Sequence, residues 1–519
     1  MLTLKKLLAS GYFPTRLPPP FKTSVYASKL STKTHASSIR QLFAKCPASR
    51  PANHNQARPG SLRRKLGIPN PINFWLFADF VVQNQQTIVA AASSSSISLT
   101  QPDISSPNRR RAIERKHDFD DLPGFRSRIR STAGYILRSD VSRFYHSIYT
   151  HSISWALHTK PVAKANRGKH SLLGNELDCF LRDMQDGQTL GVPIGPDTSF
   201  LIAELILAKV DEIMVGRGAT HAFRYIDDYE FAFPDRASAE RALADLQEAL
   251  NQYELALNPS KTSITKLPCP ADSLVISELR SYQFRHSIRG QQWDLVRFID
   301  RAFHLAGQAP DEAVLTYAIR KSGGENILQA NWPLYQDFLI HCAINEPGSL
   351  ERVIDQVGKY FLRGFQIATH GFTESVNLII QRHAPLGHGS EVAWAIWAAI
   401  VFGWPLEGAS AMAAASMADS VVALVLLDAH AKGLVPGFQF GAQLMPFMTS
   451  QDLRREMWLL AYEANVKNWL PSRGPDFVAN DRYFSELKNA NVFFYDENVT
   501  KPTDKSEPEE EIELVDEYF

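Results

Sequence analysis

Cysteine is scarce in this chain. Four thiols stand among 519 residues, at Cys46, Cys179, Cys269 and Cys342. None forms a CxxC pair, so neither a disulfide framework nor a zinc site is indicated. Net charge is absent as well, since 55 Lys and Arg balance 55 Asp and Glu. Long apolar runs are missing too. Glu391 to Gly403 is too short to span a bilayer, and Ala411 to Leu427 is broken by Asp419 and Ser420. Met1 to Ser10 carries Lys5 and Lys6 but no sustained apolar segment, so it does not read as a secretory signal. What remains is a chain with 45% hydrophobic content, enough for more than one core. The expectation is two or three domains in a reducing cytoplasm, with no membrane partner.

The balanced charge conceals an asymmetry. Residues 1–130 hold 21 Lys and Arg against 6 Asp and Glu, a surplus of 15 that the remainder offsets. Clusters at Arg63-Arg64-Lys65 and Arg109-Arg110-Arg111 are an electrostatic footprint for phosphate backbones, with a solvated basic surface as the plainer account. Ser93 to Asn108 reads as a loop. At the other end, seven acidic residues fall between Glu507 and Glu517. That composition predicts a disordered or weakly helical tail, either solubilising or competing with nucleic acid for a basic channel.

Tyr225-Ile226-Asp227-Asp228 lies between the apolar flanks Ala222-Phe223 and Glu230-Phe231-Ala232-Phe233. The pattern predicts a strand, a tight turn bearing two carboxylates, and a returning strand. Adjacent acids also occur as solvated turn tips, so a further carboxylate is needed. Asp140 supplies it, at the end of the strand-like Leu137-Arg138-Ser139-Asp140 and 87 positions before Asp227. Two-metal phosphoryl transfer needs carboxylates from separate strands, so that two cations sit ~3.5–4 Å apart. Between the two lies Gln185 to Ser199, dense in Gly and Pro, leading into an apolar helix from Phe200 to Val210 that Thr198 or Ser199 would cap. After a helix over Ala237 to Tyr253, Asn258-Pro259-Ser260-Lys261 offers a lysine that can neutralise or protonate a departing pyrophosphate.

In this order the four segments resemble the palm motifs of reverse transcriptases: motif A at Asp140, motif B at Gly191 to Ser199, motif C at Tyr225 to Asp228, motif D ending in Lys261. Phe144-Tyr145 through Ile153, Trp155 to His158, and Gly187 to Ser199 narrow the resemblance to the bacterial defence-associated reverse transcriptases, which include the abortive-infection enzymes. Gly11 to Pro14, Leu17 to Phe21 and a first fingers motif at Leu62 to Pro71 extend it over about residues 10–265. One departure stands out. Mainstream motif B reads Pro-Gln-Gly, whereas Ile194 stands between Pro193 and Gly195 here. In the defence branch that substitution accompanies repetitive products from a dedicated non-coding RNA, template-independent addition, or priming from a protein tyrosine.

Beyond about Pro270 the pattern becomes helical. Periodic apolar segments recur at Trp293–Ala306, Pro310–Lys321, Trp332–Ile344, Leu350–Phe361, Phe372–Gln381, Glu391–Val401, Ala409–Ala429 and Leu453–Ala464. Paired helices of this length suggest a solenoid-like stack, although no clean period is present. Gly387 to Trp394 is similar to an element of the defence branch, in which His388 and Glu391 either hold RNA or a partner subunit or simply cap a helix. Trp394, Trp397, Trp458 and Trp469 read as core.

The resemblance implies an α+β polymerase, with right-hand fingers and palm and an antiparallel palm sheet, followed by an all-α, helical-repeat-like domain. Its divisions are a basic N-terminal extension and fingers at 1–130, palm at 131–270, a thumb-like and helical part at 271–500, and the acidic tail at 501–519. It implies Asp140, Asp227, Asp228 and Lys261 as catalytic residues, and Asp140, Val141, Asp227 and Asp228 around magnesium, or manganese in its place. Tyr145, Arg63, Arg64, Gly195 and Lys261 are implied for the nucleotide. Implied partners are dNTPs, a dedicated non-coding RNA, product DNA and further copies of the chain, in antiphage defence in a bacterial cytoplasm. A vestigial polymerase serving as an RNA-binding scaffold or phage sensor is the alternative. An RNA-dependent RNA polymerase is a weaker rival, because its hairpin typically reads Gly-Asp-Asp. Tyr145, five residues after the motif A aspartate, is expected to clash with a 2′-hydroxyl. Tyr145→Ala should therefore admit ribonucleotides that the wild type rejects. Unchanged dNTP/rNTP discrimination in primer extension would remove that role.

Overall fold

The structure, a computed structural model, describes residues 1–501 except 32, 59–62, 107–109, 438 and 473, with the backbone alone at 33–36. The predicted acidic tail from Asp504, Tyr518 within it, Leu62 and Arg109 lie outside the described residues. β1 (Ala52–Ala57) and β2 (Arg63–Ile68) form an antiparallel ribbon with Asn55 opposite Lys65. The period of two along β2 turns Arg64 to one face and Arg63 to the other. A second small ribbon pairs β3 (Pro102–Asp103) with β4 (Glu114–Arg115).

The central sheet contains β5 (Tyr135–Asp140), β6 (Ala222–Tyr225), β7 (Asp228–Phe233) and β8 (Ser263–Lys266), in the order β6-β7-β5-β8 and antiparallel throughout. Ile136, Leu137, Tyr229 and Phe231 are buried within it. Its register sets Asp140 directly opposite Asp228. Within the stretch expected to be a loop at Ser93–Asn108, which is largely irregular in its described part, Ile97 to Leu99 run along the sheet's edge. The Leu99 amide donates to the Arg224 carbonyl and the Arg224 amide to that of Ile97, each at 2.8 Å.

The long helix after motif B spans Asp197–Gly216. It begins before Thr198 and Ser199, the expected caps, because Asp197 is held by the Arg111 guanidinium (2.7 Å) and the Ile113 amide (3.0 Å). Farther along, Glu204 and Asp211 reach β6. Arg224, completely buried, donates to Glu204 at 2.8 and 3.1 Å and to Asp211 at 2.8 to 3.0 Å.

From Leu274 to Asn489 the regular elements among the described residues are all helical. The helices pack chiefly on neighbours one or two places away in sequence. Where one helix is expected over Ala409–Ala429 there are two, Gly408–Ala415 and Ser420–Ala431, because Asp419 caps the second by accepting from the Val421 and Val422 amides. Trp394, Trp397 and Trp458 are buried and Trp469 is half-buried. No helix among the described residues is long and apolar enough to cross a membrane.

The basic N-terminal region and the helical half share one continuous core. The Trp458 indole donates to the Ile68 carbonyl (3.0 Å), and Trp394 donates to that of Arg16 (3.1 Å). Phe21 bridges Tyr495, where the Lys22 amide donates to Phe494 (2.9 Å) and the Asp496 amide to Pro20 (2.8 Å). Among these ties, Arg224 holds the palm sheet to its longest helix. Arg224→Met should cost about 3–5 kcal/mol in urea unfolding, because two buried carboxylates lose their counter-charge.

Candidate active site

Two residues, Ile226 and Asp227, connect β6 to β7. Ile226 adopts φ 56°, a left-handed value that costs a β-branched residue on the order of 1–3 kcal/mol. The surroundings enforce it. Its carbonyl accepts from Arg224 at 2.6 Å, and its amide donates to Thr100 Oγ1 at 3.0 Å. Thr100 in turn donates to Glu204 at 2.7 Å. The turn that presents Asp227 is thus anchored from beneath by the same buried network that holds the helix.

Asp140 ends β5. Its Oδ1 accepts from Asn258 Nδ2 at 3.0 Å and its Oδ2 from Lys261 Nζ at 2.7 Å. The amide of Val141, whose apolar side chain is buried, donates to the Asp227 carbonyl at 3.3 Å. Three carboxylates therefore gather at one end of the sheet. Burial and the neighbouring Asp140 push Asp227 up to about 6. Burial and Asp227 push Asp228 up to about 8. Lys261 is raised although burial opposes its charge, because Asp140 hydrogen bonds to it and the other acids surround it. An acid cluster that holds its charge this poorly, with one amine beside it, suits divalent cations.

Tyr145 is buried one turn after Asp140, and its carbonyl accepts from the Val192 amide at 2.9 Å, so motif B crosses above motif A. Burial, with Asp227 next, raises its phenol. Arg64 shares this neighbourhood. Burial and then Arg58 lower its guanidinium to about 10, against the opposing pull of Asp227.

Two expected nucleotide contacts fall elsewhere. Arg63, on the opposite face of β2, makes a bidentate pair with Glu391 and donates to Asn55, so its charge is already matched. Gly195 has φ 138°, and the close approach it permits is to Pro14, where an added Cβ would come within 2.6 Å. Its carbonyl accepts from Arg111 at 3.0 Å. Arg111, expected in a phosphate footprint, also donates to Phe13 and Asp197, so it clamps motif B to the N-terminal segment. Glu391, expected to hold RNA, a partner or a cap, instead ties the helical half to β2.

A cleft of about 870 Å³ runs from this neighbourhood into the helical half, lined by Arg16, Arg58, Arg64, His341, His383 and His388 among others. Burial lowers both His383 and His388. Sequence reading missed Asn258, Thr100, Arg16 and Arg224. For Arg224 a signal was present: a charge between Phe223 and Tyr225 on an apolar strand needs a buried partner.

Residues 101–286 match the family model for reverse transcriptase (RNA-dependent DNA polymerase), a span that includes Asp140, Asp227, Asp228 and Lys261. Such a domain marks an RNA-directed DNA polymerase, a nucleotidyltransferase. No curated protein matches the sequence. Among solved structures, telomerase from Candida albicans in complex with a TWJ fragment of telomeric RNA is similar at 9% identity and TM-score 0.30, covering 72% of this chain and 69% of that one. Apo telomerase from Candida tropicalis is similar at 11% identity and TM-score 0.31, covering 77% and 73%.

The raised carboxylates have a measurable consequence. Without metal, the unfolded chain releases these protons near pH 3.8 while the folded protein retains them to about 6 and 8. The folded state binds more protons across that interval, so stability should fall as pH rises from about 4 to 8 and then level off. Magnesium or manganese ions should raise the melting temperature more at pH 8.5 than at pH 5.5 (values near about 8 and 6 bracket the titration). Asp227→Asn with Asp228→Asn should abolish the metal's effect and flatten the pH trend in a thermal-shift series, leaving the part that Glu463 carries, since burial pushes its carboxyl up to about 8 as well.

Proposed function

We propose that the chain adds dNTPs to DNA at the Asp140, Asp227 and Asp228 cluster by two-metal phosphoryl transfer. The observation that carries this reading is the register of β5 with β7, which sets Asp140 opposite Asp228 while the anchored turn presents Asp227 beside them. Divalent cations held there, magnesium first, supply activation of the attacking 3′-hydroxyl and stabilisation of the in-line displacement. The protein's own groups do the rest. Asn258 and Lys261 orient Asp140, and Lys261 is placed to neutralise departing pyrophosphate. Arg64 supplies a cation for the triphosphate, and Tyr145 limits the sugar.

The biological setting rests on the defence-branch motifs at Phe144 to His158 and Gly187 to Ser199. These support RNA-templated synthesis from a dedicated non-coding RNA, or untemplated and protein-primed addition, by an oligomer of the chain acting against phage. Ile194 in place of the usual motif B glutamine favours the unconventional modes.

The test uses full-length protein purified with its bound RNA, incubated with magnesium and labelled dNTPs, with and without ribonuclease and then proteinase. Ribonuclease-sensitive DNA establishes templated synthesis. Resistant product that shifts after proteinase establishes protein-primed addition. No incorporation under any condition, phage lysate included, overturns the polymerase reading in favour of a scaffold. In the same assay Asp140→Asn and Asp227→Asn should fall to background. Arg64→Ala should lower kcat/KM for dNTP by ~10–100-fold, the scale of one charge-assisted hydrogen bond, whereas Arg63→Ala should chiefly lower stability.

A further inference from the structure

His383 closes the helix Thr369–His383, His388 precedes the helix Gly389–Phe402, and Glu391 lies in that helix's first turn. The short connection between them passes through Gly387 at φ 70°. This corner turns three potential metal ligands toward one point. His383 Nδ1 and His388 Nδ1 are 2.9 Å apart, and Glu391 Oε1 lies 3.8 and 3.7 Å from them. A triangle with those sides has a circumradius of about 2.0 Å, which is the bond length of zinc to imidazole nitrogen and carboxylate oxygen. Among the described residues no other three His, Cys, Asp or Glu side chains bring ligand atoms within 4.8 Å of one another. The palm carboxylates are spread wider.

We infer that His383, His388 and Glu391 form a binding site for a zinc-type dication, separate from the polymerase cluster. Two nitrogen donors select the ion class, because imidazole suits zinc and its neighbours in the transition series, whereas magnesium requires oxygen. The surroundings are those of a built site. Glu391 is 3% exposed, its Oε2 accepts from Ser390 at 2.8 Å, and Arg63 fixes the carboxylate plane through both oxygens. Outer partners of this kind orient metal ligands. Arg63 also brings a positive charge, which weakens the attraction for any cation and further favours an ion that bonds strongly to nitrogen. His383, His388 and Glu391 all help to line the cleft, which has room for water or a further ligand. An ion there would clip the corner between two helices at the point where β2 joins the helical half. The scarcity of cysteine does not bear on this site, which uses no thiolate.

The plainer account of the same geometry is a hydrogen bond between two imidazoles, and metal binding separates the two. Full-length protein stripped with EDTA is titrated with cobalt chloride and, separately, with zinc chloride. The variants are His383→Gln, His388→Ala, His341→Ala and the Asp227→Asn, Asp228→Asn pair, each checked for folding by circular dichroism. With excess magnesium to fill the carboxylate cluster, the wild type should take up one equivalent of cobalt with visible d–d absorption, which zinc displaces. His383→Gln and His388→Ala should weaken zinc at least ~10–100-fold, the scale already seen for outer-shell losses. His341→Ala, in the same cleft but outside the triangle, and the palm double variant should bind as the wild type does. A wild type that binds no zinc, or variants that bind it equally, would overturn the site. Neither result depends on polymerase activity.

Discussion

The turn that presents Asp227 depends on one buried guanidinium. Arg224 sits between Glu204 and Asp211 with no solvent contact, an arrangement that is expensive to assemble and more expensive to break by halves. Its remaining reach goes to the carbonyl of Ile226. A β-branched residue would relax from the left-handed region if it were free to do so, and the hydrogen bonds above and below deny it that freedom. The ion pair is thus weak evidence for stability by itself but strong evidence for specificity. It fixes the helix after motif B, strand β6 and the Asp227 turn as one piece. Catalytic geometry within fractions of an ångström requires support of this sort.

The second organising tie crosses the molecule. A basic front and a neutral-to-acidic back are legible as numbers in the sequence, yet the charges do not simply face solvent or nucleic acid. Arg63 is matched by Glu391, Arg111 by Asp197, and Arg50 by Asp186 and Glu456. Part of the positive surplus therefore goes into joining the basic N-terminal region to the helical half and to the segment around Asp186 and Asp197. Arg16, Arg58 and Arg64, which are not among those pairs, help to line the cleft. A compositional surplus shows that phosphate can be attracted. Only the pairing pattern shows where.

Strands β5, β6 and β7, the tight turn and the carboxylates were legible because apolar alternation and paired acids are local signals. Most helices of the C-terminal half were legible for the same reason, within about five residues at each end, although Leu274–Arg280 and Phe484–Asn489 were not read and Ala409–Ala429 proved to be two. What escaped was non-local. Thr198 and Ser199 read as caps, but Arg111, 86 positions upstream of Asp197, moved the helix start. Ser98 and Thr100 read as loop, but the edge of β6 recruited them. Arg63 and Arg64 were indistinguishable as neighbours in a basic run, and the pleat of β2 gave them opposite employment. Gly195 read as room for a nucleotide and turned out to be room for Pro14.

The closure of Phe21 on Tyr495 carries a consequence for how the protein comes into being. Synthesis delivers the amino-terminal segment first, and domains ordinarily fold as they emerge from the ribosome. Here Tyr12 stacks on Phe74 and meets Phe494 edge-on, and Phe21 waits for Tyr495. The aromatic side chains of the amino-terminal segment cannot complete their packing until Phe494 and Tyr495 have been made. Until then the nascent chain carries part of that surface exposed, which makes the early product a client for chaperones. It also means that the amino-terminal segment takes its final place only after the helical half has been made.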